Sequence, residues 1–307
     1  GNITAPEQGY IWDACKRAGV SVRSYGEFAT REAGQLSQAA EASRAGGQGP
    51  VEATVPGLAG LVHPDYPPWD LSLPDNRRVD VWLKELAEFE TNGKLPALSI
   101  IRLGNDHTAG TRPGYPTPTA MIAENDLALG RVVEAISKSR YWKESAVFVL
   151  EDDAQNGPDH VDAHRSVAFV ASPYARRGAV DSTLYTTSGM LRTMELILGL
   201  PPMSQYDAAA APMYGSFQST PVLTPFAHRE ARVSLDEKNT ADAPGAAASM
   251  AMDLDEPDCA PDLELNEIIW RAVRGPTATM PPPVRAAFVR PHGDDGDDDE
   301  DRADRRP

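Results

Sequence analysis

The chain has 307 residues, 41% of them hydrophobic and 24% charged, with a net charge of −16. This apolar share suffices for the core of one large domain or two modest ones, and the acidic balance argues against a nucleic-acid partner held through phosphate contacts. No apolar run approaches the roughly 18 residues of a membrane-spanning helix, and two cysteines, Cys15 and Cys259, do not make a disulfide framework, whether or not they pair.

In chain order, EQGYIWDACKRA predicts a first helix over about Glu7–Ala18, with Gly19 as its stop. VSVRSYGEF then reads as a short strand, and Ala29–Pro56, rich in Ala, Gly, Gln and Ser, as a mobile loop with at most one helical turn. HPDYPPWDLSLPDN is a rigid extended connector. Asp75 is placed to cap a helix over about Asn76–Thr91, closed by Asn92-Gly93. ALSIIRL, at Ala97–Leu103, is the β-branched run expected of a strand buried on both faces.

Thr117 offers an N-cap, with Pro118 at the first helical position, for a helix to about Arg140 whose apolar face carries Ile122, Leu129, Val133 and Ile136. Asp126, four after Ile122, would then bond a nearby backbone group or a ligand. SAVFVLE (Ser145–Glu151) and SVAFVAS (Ser166–Ser172) predict two more buried strands, and Ser188–Leu198 a helix stopped by Gly199. Ser219–Pro261 loosens into a surface wrap, LELNEIIWRAVRG forms a short amphipathic helix, and GDDGDDDEDRAD is a solvated acidic tail. Gly1 in place of Met reads as a start inside a longer or processed chain. Strands alternating with helices in this way predict an α/β layered fold around a largely parallel sheet.

Ligands of such sheets bind beyond the carboxyl ends of the strands, and both acidic clusters fall there. Asn105-Asp106-His107 follows one strand and Asp152-Asp153 the next. Each has a plain structural reading: Asp106-His107 as a turn in which Asp caps amides, and the histidines as structural residues. Against this, adjacent carboxylates at a strand end repel unless a positive charge lies between them. His164 directly precedes a predicted strand, and His160 lies four residues before it. A mixed set of Asp106, His107, Asp152, Asp153 and His164, with His160 as an addition, suits zinc, manganese or iron, and calcium or magnesium less well. Arg176, after SPY, is either a solvated charge or a phosphate contact. Trp12, Trp69, Trp142 and Trp270 read as packing residues, and Arg192 with Glu195 as a surface pair.

Four runs carry a resemblance: NDHTAGTRPGYPTP, ENDLALGRVVEAISKSRYW, EDDAQNGPDHVDAHR, and SPYARRG followed by LRTMELILGLPPMSQYDA. Over roughly Glu7–Phe288 the chain resembles the carboxyl-terminal half of the bacterial phosphoesterase family, within the alkaline phosphatase superfamily. The resemblance implies a three-layer α/β sandwich and metal-dependent hydrolysis of a small phosphate ester. It implies one ion on Asp106, His107 and His164 and a second on Asp152 and Asp153, the usual Asp-His pair there being replaced by Asp-Asp. The divalent ion is zinc, manganese, iron or calcium, and the setting periplasmic or secreted, often behind a β-propeller of short strand repeats.

The family's nucleophile, a Ser or Thr, belongs to an earlier segment, so the sandwich is expected to be incomplete on its N-terminal side. Thr108, Thr111 and Ser166 lack the strand-to-helix context. A non-catalytic metal-binding or interaction fragment is therefore the alternative. The expected organisation is a phosphoesterase-like domain over 1–217 with a loop-rich insertion at about 29–75. An extended wrap and short helix of the same domain follow over 218–291, and the acidic tail occupies 292–307.

Overall fold

The computed structural model describes residues 6, 8–31, 49–152, 157–159, 161–257 and 259–284. The first helix, α1 (Ile11–Arg17), is shorter than the pattern suggested, because Gly9 turns at φ +77° and Tyr10 caps the helix in an extended conformation. Strand β1 (Val22–Tyr25) follows, and Ala29–Thr30 (β2) pairs antiparallel with Glu52–Ala53 (β3). The ends of the predicted loop are thus tied together as a ribbon; its middle lies outside the described residues.

Helix α2 (Asp75–Asn92) starts one residue earlier than expected and ends as expected at Gly93 in the left-handed region, φ +79°. Strand β4 (Leu98–Ile101) lies parallel to β1, with Val22 opposite Leu98 and Tyr25 opposite Ile101. Helix α3 (Pro118–Lys138) is capped by Thr117, whose hydroxyl accepts the Ala120 amide at 3.2 Å. Its buried face is offset by one residue from the predicted one: Met121, Glu124, Ala128, Val132 and Ile136 are buried, whereas Ile122 is 45% exposed. Asp126 accordingly faces solvent, and the buried acid of this helix is Glu124.

Strands β5 (Val147–Leu150) and β6 (Ala168–Ala171) correct two expectations. They pair antiparallel, Val147 opposite Ala171, and they are not buried on both faces, since Val167 is 53% and Phe169 56% exposed. Among the described residues the strands form three two-stranded sheets, of which only β1–β4 is parallel. The fold is mixed α/β, with a small parallel sheet where a large one was expected. Helices α4 (Thr187–Leu198), α5 (Gln205–Ala209), α6 (Ala246–Ala251) and α7 (Asp262–Arg274) complete the described elements.

Three apolar clusters hold these elements. Ile11, Trp12, Cys15, Val22, Leu58 and Leu98 join α1 to the parallel pair. Tyr25, Val79, Trp82, Leu86, Val132, Ile136 and Trp142 pack α2 against α3. Met121, Met252, Leu254, Leu265 and Ile268 seat the later part of the chain on the start of α3. Burial of such side chains contributes about 25 cal/mol per Å² of apolar surface. Cys15 is buried, Cys259 is exposed, and no disulfide joins them. None of the described helices is long and apolar enough to cross a membrane.

Candidate functional site

The chain leaves β4 with Arg102, whose amide still donates to the Tyr25 carbonyl at 2.9 Å. It then turns through Gly104 into a single 3-10 turn, Asn105–His107. Backbone amides at this turn need acceptors, and the Asp75 carboxylate from the first turn of α2 supplies them. Asp75 Oδ1 accepts the Gly104 amide at 3.2 Å and Oδ2 the Asn105 amide at 2.9 Å. Asp75 is therefore not the helix cap foreseen for it but the anchor of the loop after β4. It is fully buried, and its charge is met by Arg78 Nη1 at 2.8 Å. Arg78 in turn donates to the carbonyls of Pro67, Pro68, Asp70 and Leu73, so the Pro-rich connector is wound around one guanidinium.

The cap of α2 comes from another helix. Glu124 of α3 accepts the amides of Asp75 and Asn76, both at 2.8 Å, and the Asn76 side chain at 2.6 Å. The adjacent Asn125 donates through Nδ2 to Asp75 Oδ2 at 3.0 Å and to Asp106 Oδ1 at 3.3 Å. The second turn of α3 thus grips both the start of α2 and the Asp106 carboxylate. Neither residue was singled out from the sequence. The signal that could have found them is two adjacent polar residues, Glu and Asn, one turn into a helix whose neighbouring positions are apolar.

Burial raises the proton affinity of Asp106; the nearby charges of Asp75 and Asp152 raise it further, opposed by its own backbone amide and by His107. The charges of Asp106 and Asp152, from the loops after successive strands, therefore oppose one another. His107 Nδ1 lies 2.9 Å from the Thr108 carbonyl, which only accepts, so Nδ1 carries the proton and Nε2 is the ring nitrogen left available. Its ring meets Trp69 edge-on at 5.3 Å. Thr108 is held at φ +63°, ψ 167°, strained for a β-branched residue, and is fully buried.

Around the second acidic cluster, Asp152 is exposed directly after β5, while Asp153 and His160 lie outside the described residues. His164 is exposed; its ring Nδ1 bonds Asp162 Oδ1 at 2.7 Å. Asp159 organises this loop by accepting the Val161 and Asp162 amides and pairing with Arg165, which holds its carboxyl down at about 2. Arg176 is exposed, with Nη2 3.4 Å from the Phe217 carbonyl. Among the described residues no group of three or more His, Cys, Asp and Glu side chains is arranged to hold a metal ion.

The hydroxyls nearby are engaged. Thr111 donates to the Pro244 carbonyl at 2.8 Å, and Ser166 to that of Glu151. Thr108 Oγ1 accepts the Gly110 amide at 3.1 Å.

A family model described as Phosphoesterase family matches residues 9–201. The matched span takes in both acidic clusters, His164 and Arg176. No curated protein matches the chain.

Proposed function

The chain belongs to the phosphoesterase family, and from that premise we propose that it hydrolyses phosphate esters with a divalent metal ion held about Asp106, His107 and Asp152. One observation carries this reading: the half-buried carboxylate of Asp106, beyond the carboxyl end of a parallel strand, feels the charge of Asp152, unpaired among the described residues, as well as that of Asp75, which Arg78 already meets. Such opposition is unfavourable unless a cation relieves it. Two carboxylates and one imidazole whose Nε2 is available are donor types a divalent ion takes, although the described side chains do not gather into a three-ligand group. Asp153 and His164 join the set on the strength of the resemblance alone. The ion, when bound, would neutralise charge building on the phosphoryl oxygens.

The chain's own residues do the positioning. Asn125 holds the Asp106 carboxylate, Asp75 holds the backbone of the turn that carries it, and Thr108 holds the His107 tautomer. The occupied hydroxyls of Thr108, Thr111 and Ser166 support a nucleophile from a separate segment, expected ahead of α1. Two further observations support such a segment. Among the described residues β4 pairs only with β1, and β5 only with β6, while Leu150, Val167 and Phe169 present apolar surface. An added strand would complete a three-layer sandwich of the alkaline phosphatase type. A periplasmic or secreted setting and fusion to a β-propeller are proposed from the resemblance alone. The engaged hydroxyls equally favour a second reading, in which this chain is a non-catalytic metal-binding or interaction unit.

Elemental analysis of the purified chain, alone and after incubation with zinc, manganese, iron or calcium, tests the metal. Stoichiometric metal lost in both Asp106→Ala and Asp152→Ala is the expected result; no metal under any of these conditions overturns it. Turnover of an aryl phosphate by the metal-loaded chain separates the enzyme from the non-catalytic unit.

A further inference from the structure

Half-buried and buried arginines in this protein are mostly neutralised: Arg23 by Glu85, Arg78 by Asp75, Arg131 by Asp80 and Arg192 by Glu195. Arg31, Arg102 and Arg112 are also half-buried and have no such partner among the described residues, and of these Arg102 stands at the end of β4, three residues before Asn105. Its guanidinium carbon lies 4.9 Å from the centre of the Trp69 ring. The same indole meets the His107 ring edge-on at 5.3 Å, so the indole is a wall that the cation and the imidazole both contact.

That wall is fixed from behind. Trp69 Nε1 donates to the Leu254 carbonyl at 3.2 Å, and a Cβ on Gly104 would come within 3.0 Å of the indole. Glycine at 104 is therefore what lets the loop close over the ring. A guanidinium laid against an aromatic face loses little of its donor capacity, because its N–H groups lie in the plane and point outward at the rim. Stacking limits its rotamers in advance, so less entropy is lost when an anion binds.

Electrostatics give the cation a purpose. With Asp75 neutralised by Arg78, Asp106 and Asp152 still leave negative charge at the neighbouring turn, and an anionic ester would be repelled on approach. We infer that Arg102, braced on Trp69, is an anion-binding residue that takes a phosphoryl oxygen of the ester or of product phosphate beside His107. This assignment deepens the hydrolytic reading and rests on it for the identity of the anion.

Calorimetric titration of the full chain with inorganic phosphate tests it, on the wild type and on Arg102→Met, Arg102→Lys and Arg140→Met. Arg140 is the control, a guanidinium stacked on Tyr141 at 5.1 Å beyond the other end of α3. Loss of a charge-assisted hydrogen bond predicts phosphate binding at least about tenfold weaker in Arg102→Met. Arg102→Lys should fall between the two, and Arg140→Met should match the wild type. If Arg102→Met does not fold, Arg102→Lys carries the comparison, since it keeps the charge but not the fork.

Equal affinity in the Arg102 variants and the wild type, or no phosphate binding by the wild type, overturns the assignment. Aryl-phosphate turnover with unchanged KM in Arg102→Met would do so too while leaving the hydrolytic reading intact. Arg102-dependent phosphate binding without any ester turnover has the reverse meaning: the anion site stands and hydrolysis does not.

Discussion

Thr108 shows how much a single residue is made to bear. Its φ of +63° with ψ of 167° is a region that suits glycine, and the conformation aims its carbonyl at His107 Nδ1, 2.9 Å away. Threonine here costs backbone strain in return for a fixed imidazole tautomer and for the hydroxyl that accepts the Gly110 amide. Removing the hydroxyl in two ways isolates the strain. Thr108→Gly and Thr108→Ala both lose it, but only glycine relaxes at positive φ. In urea unfolding Thr108→Gly should be the more stable by about 1 kcal/mol, and an alanine variant at least as stable would show the backbone to be unstrained. Nothing in the local sequence, NDHTAG, marks this residue as strained, because φ at 108 is set by what Asp75 and the later chain do to the loop on either side.

At the scale of elements, the helices report their caps to one another. Pro74 at the N-cap of α2 has no side-chain acceptor to offer, so the first amides of α2 are satisfied by Glu124 from α3. Glu124→Ala leaves two buried donors without partners and should cost about 2 kcal/mol. Circular dichroism melts would register it, and a loss under about 0.5 kcal/mol would mean that water replaces the carboxylate.

The junction of α4 and α5 behaves differently. Glu195 is fully buried, pairs with Arg192 at 3.0 Å and is not the surface partner its spacing suggested. Burial raises its proton affinity, and Asp207, the first acid of α5, raises it further, while Arg192 opposes the shift. Because the folded pKa lies above the unfolded one, the stability from neutral Glu195 is fully present below about 4.5, the ordinary carboxyl value, and is lost as pH rises through the folded value. Glu195→Gln keeps a donor without the charge. Its urea midpoint should therefore gain on the wild type between pH 4 and pH 8; a difference independent of pH would assign Glu195 no proton in the fold.

Across the whole molecule, burial is unevenly shared. Trp82, between α2 and α3, is 4% exposed, whereas Phe169 on β6 is 56% exposed. Trp82→Ala should cost about 3–5 kcal/mol and Phe169→Ser under about 1 kcal/mol. A large loss from Phe169→Ser in the isolated chain would reveal a covering contact in solution. The contrast also explains why the β5 and β6 runs misled: Val, Phe and Ala in sequence look alike whether a strand lies inside a sheet or at an open face.

The elements set by short-range chemistry were legible from the sequence. Thr117-Pro118 opened α3, Gly93 and Gly199 ended α2 and α4, and the alternation of strands and helices indicated an α/β chain. The acidic positions after the strands were legible too, as was the family to which the chain belongs. Tertiary structure alone decided that β5 and β6 run antiparallel, that the buried acid of α3 is Glu124 and not Asp126, and that Asp75, Asn125 and Arg102 gather around the Asn105–His107 turn. The physical reason is range. Caps and turns depend on groups within a few residues along the chain, whereas burial, strand direction and the partners of a charge depend on what the remaining chain brings alongside.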